Sequence, residues 1–585
     1  MTQGLRSEVI RCIGGLNLEG PNLEKQRGQV IAARNFEQKQ TGGYRRISGY
    51  SKVESTVVPG TGDIASVARH DSTTYAWRID GSSEYQLHRA NGAGWTAINL
   101  GWFVRFDAGD NEPAEGTTLT AAPGITGVVS RIVVESGAWT SNDAAGFISL
   151  RNVVGDWTAV ADNTALTSGG ATTYCTTNGA ATEVVVTGEP RSVVFHNFYG
   201  GANDGAFYWC DGTTWVIEVR PATHYVAVVP IVCDYVAAHN EHLFFATAAG
   251  GNLWCSVPGT PFLVDGASGS IEKSTGAGIA GLASFKGALA VFGDSQTSLL
   301  YGQDSTDFQL KRLNGAGGLQ GQKDGVAAEV EGRLLYITQA GTLADLAATD
   351  TYGNFDSNTV APDISDNMVT RRALITAVCR RPDKGQVRIF YSDGGALFFT
   401  FFAGQLIGVM PQKYPLAVKC YATNADSSLE SGEVAVFGST DGYVYKADDT
   451  GEFDGDPIVS YLLFPFWHMG SPSQKKRWRT LFIEGGADGN GATLRVKQSY
   501  DLSNDFSGTM IDQEFEGGNA GIWGSALWGE FYFGGTYGAD LGYELTGTSK
   551  TMSVLIYNGG TDDDFGAMSI DNLIVNYTMR GAARE

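Results

Sequence analysis

The stretch EVAVFGSTDGYVYKAD, residues 433–448, decides the fold. Its first half is an apolar run that reaches the turn residues Ser439–Gly442. Its second half leaves the turn with Tyr443 and Tyr445 on one face of a strand. The Asp441–Gly442 pair supplies the positive φ that a tight hairpin needs. Similar units recur at 193–219, 236–264, 283–310, 328–356, 379–410 and 433–455, with starts 43, 47, 45, 51 and 54 residues apart. A period of about 40–50 residues with several strands per repeat is that of propeller blades. An earlier unit at 65–90 leaves the blade number at six or seven.

Composition supports an all-β chain. The 585 residues include 78 glycines against 16 prolines, and the glycines fall between short apolar stretches as turn formers do. Hydrophobic residues make up 43% and aromatics 11%, enough for large cores. The reading divides the chain into an N-terminal docking arm (1–60), early propeller strands (61–100), an inserted small β domain (101–190), the main β-propeller (191–457) and a C-terminal β-sandwich-like domain (458–585). The sandwich follows from longer strand patterns at 476–501 and 550–560. Only Asn22–Phe36 suggests helix, a turn or two, with Asn22 as its cap and Leu23, Val30 and Ile31 on one face.

The formal charge is −22, from 41 basic and 63 acidic residues, which opposes general affinity for nucleic acid. The first 50 residues differ: eight Lys/Arg against four Glu give +4, the sign of an arm that docks on acidic surface, its own or a neighbour's. Seven widely spaced cysteines without a CxxC read as reduced thiols. No apolar signal-peptide core follows the N-terminus, and the best apolar run (225–238) is broken by Pro230 and Asp234, so no membrane-spanning segment is expected.

Catalytic signatures do not emerge. There is no G-x-S-x-G elbow, and the Gly-rich 485–493 lacks a P-loop lysine. His239 and His242 sit at a hairpin tip without further ligands nearby, and no metal or cofactor is expected. The acidic DDTGEFDGDP (448–457) misses the calcium-loop register and reads as a solvated inter-blade loop. Lys475, Lys476, Arg477 and Arg479 around Trp478 read as a charged strand edge or a subunit contact. Arg371–Arg372 and Arg380–Arg381 read as solvated strand ends. Trp523 and Trp528, among glycines, are either sandwich core or a flat subunit interface.

The opening GGLNLEGPNLEKQRGQVIAARNFE…GGYRRISGY resembles the start of many bacteriophage virion proteins at Gly14, Gly15, Asn17, Asn35, Arg45, Arg46, Gly49 and Tyr50. The segments 239–265, 285–302, 331–349, 528–535 and 576–585 continue the resemblance, and SGAW…DAAGFISLRNVVGDW looks like a module common in phage structural proteins. In order, these motifs are similar to the tail-nozzle, or tail-hub, proteins of short-tailed phages over most of the chain except 101–190. The resemblance implies a non-enzymatic virion protein, assembled in the host cytoplasm as a ring, a homohexamer. Its implied partners are the portal-adaptor protein, tail fibres or spikes, and viral DNA in transit without specific binding. Arg45 and Arg46 are the first candidates for contacts between subunits, because paired guanidiniums suit carboxylates. Asn35, Trp478, Trp523 and Trp528 are further interface candidates. Two other readings stand beside this one: a β-propeller glycan hydrolase or lyase, and a receptor-binding propeller without catalysis.

Overall fold

Six four-stranded antiparallel sheets and a seventh sheet of six strands form the blades of a β-propeller in the computed structural model. Residues 4–70, 72–170, 172–197, 205–221, 223–313, 317–319, 327–349, 354–425, 433–487, 492–503, 506, 511–515, 539–559 and 568–580 are described. Blade 1 spans 61–97, and blades 2 to 6 span 192–229, 235–274, 279–312, 327–359 and 375–413. Blade 7 is a composite. Its inner three strands are Val418–Ala425, Glu433–Ser439 and Val444–Ala447, and its fourth is Tyr50–Lys52 from the N-terminal arm. The predicted turn is present, with Gly442 at φ 82°.

The innermost strands of all seven blades line a central channel of about 520 Å³. Alanines such as Ala68, Ala237, Ala280, Ala328 and Ala422 occupy its wall. Larger residues such as Tyr235 and Tyr421 line it beside the alanines, and Trp77 and Trp209 pack between blades 1 and 2 at 5.8 Å between rings.

Between blades 1 and 2 the chain makes a separate barrel. Its strands run in the order Ala144–Val154, Ile125–Ser136, Thr118–Ala122, Ala165–Ser168, Thr172–Thr177 and Trp102–Gly109, and the last pairs back onto the first. Closure removes the free edges that six short strands would otherwise expose. Val104, Leu119, Ile148, Leu150, Trp157 and Leu166 fill it.

Two packed sheets form the C-terminal sandwich. One contains Lys476–Ala487, Ala539–Glu544 and Met568–Met579; the other contains Ser460–Leu463, Ala492–Tyr500, Ile511–Phe515 and Met552–Asn558. Leu481, Ile483, Leu573 and Val575 of the first meet Leu494, Val496, Val554 and Ile556 of the second in one core. That core continues into blades 5 and 6 through Leu335, Ile337, Val387, Ile389 and Phe399. Apolar packing therefore runs from the sandwich into the propeller.

The arm departs from expectation. No helix forms at 22–36; among the described residues the α-helix is Ser365–Arg371. A Cβ on Gly28 would lie 1.8 Å from the Arg11 carbonyl oxygen, so the chain passes its own first strand there too closely for any side chain. Arg6–Arg11, Phe36–Gln38 and Tyr44–Arg46 join the first sandwich sheet and Ala32–Arg34 joins the second. Lys476, Arg477 and Arg479, read with Lys475 as a charged strand edge or a subunit contact, lie in Lys476–Ala487, which is paired on both sides, by Thr548–Ser549 with Ala539–Glu544 and by Met568–Met579. Lys476 is consequently buried, and its ammonium donates to the carbonyls of Ser471 (2.6 Å), Gln474 (2.9 Å) and Lys550 (2.8 Å).

Candidate functional site

The residues that carry the opening motif converge where arm, propeller and sandwich meet. Asn35 is the pivot. It adopts φ 57°, a left-handed conformation that asparagine tolerates better than most residues. That single reversal lets Ala32–Arg34 pair in one sandwich sheet and Phe36–Gln38 in the other. The buried side chain holds the pivot from both ends: its Nδ2 donates to Val459 O and its Oδ1 accepts from Lys413 N, each at 2.8 Å. It thereby ties the arm to the outer strand of blade 6 and to the first sandwich strand.

Strand periodicity then separates the two arginines. Tyr44 and Arg46 point into the sandwich, and Arg45 points away from it. Arg46 is buried and its Nη1 donates to Asn558 Oδ1 at 3.3 Å, while Asn558 Nδ2 donates to Thr493 O at 3.0 Å. Arg45 lies across the ladder from Glu37 and its Nε donates to Glu37 Oε1 at 3.0 Å.

Glu37 enters a buried cluster built from three elements. Lys384 Nζ lies 3.2 Å from its Oε1, Gln386 Nε2 donates to its Oε2 at 3.0 Å, and Arg388 Nη2 stands 3.8 Å away. From blade 7 comes Asp448, whose carboxylate meets Arg388 Nη1 at 2.8 Å, Lys384 Nζ at 3.0 Å and Arg381 Nε at 3.2 Å. Burial by itself raises the pKa of each carboxylate, but the neighbouring cations outweigh it. Lys384, Arg45 and Arg388 bring Glu37 down to about 2. Arg388, Lys384 and Arg381 hold Asp448 far below the ordinary carboxylate range. Both remain ionised at neutral pH, and the ion cluster fastens the arm to blades 6 and 7.

Asp448 begins the acidic run expected to be a solvated loop, and Arg381 was expected at a solvated strand end; the side chains of both are buried, each supplying the other's counter-charge from a neighbouring blade. Beside the cluster, Tyr50 closes the propeller. Its ring lies 4.7 Å from Tyr445, 5.2 Å from Phe453 and 5.3 Å from Phe437. Gly49 precedes it because a Cβ there would stand 1.7 Å from Glu452 O.

The remaining sequence candidates are placed differently. Trp478 is buried in the sandwich, donates from Nε1 to Ser549 Oγ at 2.7 Å and packs on Tyr577. Trp523 and Trp528 lie outside the described residues. Asn35, Arg46 and Trp478 thus hold the chain's own ends together from its interior, and Arg45 spends its guanidinium on Glu37 of the same chain. His239 and His242 flank a two-residue turn in which Asn240 and Glu241 both have positive φ. Both are buried, with Nδ1 of His239 against Ser284 Oγ (2.8 Å) and Nδ1 of His242 against Ser256 O (2.6 Å). Among the described residues no group of three or more His, Cys, Asp or Glu is disposed to hold a metal ion.

A second buried ion cluster, which the sequence reading missed, docks the barrel. Arg131 Nη2 donates to both oxygens of Glu218 in blade 2, at 2.7 and 2.6 Å, and Arg220 Nε donates to Glu218 Oε1 at 2.9 Å. Only the apolar flanks of Glu218, in TTWVIEVR, hinted that a carboxylate stood at an inward-facing position.

No family model matches the chain, and no curated protein matches it. Its likenesses are among solved structures. One is BBS1N in complex with ARL6DN, with 11% identity over 60% of this chain and 97% of that one, at a TM-score of 0.29. A second is Saccharomyces cerevisiae Sqt1, with 10% identity over 68% and 99%, at a TM-score of 0.34. A third is the WD40 domain of Neurospora crassa Pan2, with 8% identity over 69% and 96%, at a TM-score of 0.32. At these identities the likeness concerns fold alone.

Proposed function

We propose that the chain is a structural, non-enzymatic subunit of a short-tailed phage tail: a nozzle or hub protein. In this reading it assembles as a hexameric ring below the portal and adaptor, retains the packaged genome and releases it on contact with a host. The observation that carries the reading is the coincidence of motif and lock. Asn35, Arg45, Arg46, Gly49 and Tyr50, which bear the resemblance to nozzle proteins, are the residues that bind the arm to the sandwich, to blade 7 and, through Glu37, to blade 6. A wall subunit under the pressure of packaged DNA needs its domains held as one body, and buried ion pairs with apolar packing from the sandwich into the propeller supply that.

Charge supports the same reading. A net charge of −22 gives DNA no general counterion-releasing surface, so DNA passes without being retained on the wall. The propeller's own channel is of ligand size, so the conduit in this proposal is the opening around the ring's symmetry axis. Imaging of the purified protein by negative stain, with its mass measured in solution, tests the proposal. Hollow rings of six subunits are expected, alone or on addition of the adaptor; a compact monomer under both conditions overturns it.

A further inference from the structure

Two imidazoles are sealed into the seam between blades 3 and 4. His239 and His242 close the first hairpin of blade 3, and the tip residues between them, Asn240 and Glu241, are both left-handed. Glutamate adopts that conformation far less readily than the glycine usual in such turns, so the tip depends on what grips it. Blade 4 supplies the grip. Ser284 Oγ meets His239 Nδ1 at 2.8 Å, Asn240 Nδ2 donates to Gly302 O at 2.8 Å, and the ring of Phe308 stands edge-on to His242 at 5.3 Å. Beside the tip, Phe244 of blade 3 packs with Leu289, Val291 and Leu300 of blade 4 in one apolar core. We propose that this tip is an acid-sensitive catch, which holds blades 3 and 4 together while both histidines are neutral and lets go when they are protonated.

The hydrogen bonds leave an added proton no place. His242 Nδ1 faces the carbonyl oxygen of Ser256 at 2.6 Å; a carbonyl only accepts, so Nδ1 carries the hydrogen and Nε2 the lone pair. A second proton must therefore go to Nε2, which is buried and has no hydrogen-bond partner among the described residues. His239 Nε2 is buried and unpartnered in the same way, whichever direction the bond with Ser284 runs. An imidazolium has two N–H groups to satisfy, and a buried charge that lacks an acceptor for one of them is strongly disfavoured.

The neighbouring charges do not offset this. Ser284 and Phe244 bring none to His239, and the charge it does meet, that of His242, has the same sign. Two carboxylates stand near, Glu241 in the turn and Asp304 of blade 4 beside His242, and both are exposed, where solvent screens them. Burial, with His242 adding to it, brings the pKa of His239 from 6.5 down to about 4. In an opened tip the ring returns to 6.5, so the open form binds the proton more tightly. The grip is thus complete above pH 6.5 and weakens as the pH falls toward 4, well above the pH at which Glu37 is protonated.

The catch lies within one subunit, so its failure would leave the ring proposal standing. Amide hydrogen exchange of the full-length protein at pH 7 and pH 5, corrected for the intrinsic effect of pH on exchange, tests it. Protection of residues 235–246 should fall about tenfold or more at pH 5, while blade 6 keeps its own. The double variant His239→Gln, His242→Gln should show no such fall. Equal protection of the tip at both pH values in the parent, or a double variant that loosens in acid as the parent does, overturns the proposal. If the double variant does not fold, exchange of the imidazole C–H of His239 in the parent, followed by peptide mass spectrometry across the same pH range, decides: a titration well below pH 6.5 supports the catch, and one at 6.5 or above overturns it.

Discussion

Glu37 and Asp448 share one ammonium: Lys384 Nζ stands 3.2 Å from Glu37 Oε1 and 3.0 Å from Asp448 Oδ1. The two carboxylates come from the arm and from the last blade, and the lysine from the blade between. The contact therefore reports on closure of the propeller and on seating of the arm at once.

Asp448→Asn should destabilise the junction by about 3–5 kcal/mol, because it leaves Lys384 and Arg388 buried with Glu37 as their remaining carboxylate and Arg381 with Asp383 as its own. Hydrogen exchange should then rise first in residues 32–52 and in blade 7. Equal exchange in variant and parent would refute the assignment.

Acid should act on the same place. Glu37 has a native pKa of about 2 against an ordinary 4.5, so the folded state holds its proton more weakly than the unfolded chain does. Stability of about 3 kcal/mol is therefore fully present above pH 4.5 and is lost as the pH falls toward 2. Asp448, also depressed, adds in the same direction. Urea midpoints measured from pH 6 down to pH 2 should fall across this window in the parent. They should fall less steeply in Glu37→Gln, which is less stable at neutral pH to begin with.

Asn35 separates a backbone effect from a side-chain effect. Asn35→Gly keeps the left-handed conformation but leaves Lys413 N and Val459 O without their partner. Asn35→Ala adds about 1–2 kcal/mol of backbone strain to that loss. The expected order of stability is parent, glycine, alanine, read from denaturant midpoints; alanine equal to glycine would show that the φ is not held.

Arg131→Met should release the inserted barrel and spare the propeller ring. The change leaves Glu218 with Arg220 as its remaining guanidinium, at a cost of about 3–5 kcal/mol against docking. Limited proteolysis should cut near residues 98–102 and 184–190 in the variant well before it touches blades 3 to 6. Uniform digestion would argue that the barrel is not an independently docked unit.

The blades were legible because each repeats a local pattern: alternating apolar residues, a turn such as Asp441–Gly442, and a period close to 45 residues. The barrel and the sandwich were legible as blocks where that period lapses. The arm was not. Its strands are three to six residues long and draw their partners from the far end of the chain, so neither periodicity nor caps announce them. Asp448 and Arg381 were misjudged for a related reason. A charge beside other charges reads as solvated until its counter-ion arrives from another blade. Arg45 and Arg46 were expected at contacts between subunits; adjacent strand positions face opposite ways, so within the chain one serves the ion cluster and the other the sandwich interior.

The weaving of the two ends has a consequence for biosynthesis. Strands 6–11 and 44–46 emerge from the ribosome long before the strand they pair with, Met568–Met579. Throughout translation the nascent chain carries unsatisfied strand edges that nothing yet synthesised can cover, and closure of blade 7 waits for residues near 447. Such long-range pairing folds slowly and invites wrong partners meanwhile. Synthesis of residues 568–579 thus becomes the event that closes the sandwich, and every polypeptide released before it is left open there, as one released before residue 447 is also at the wheel.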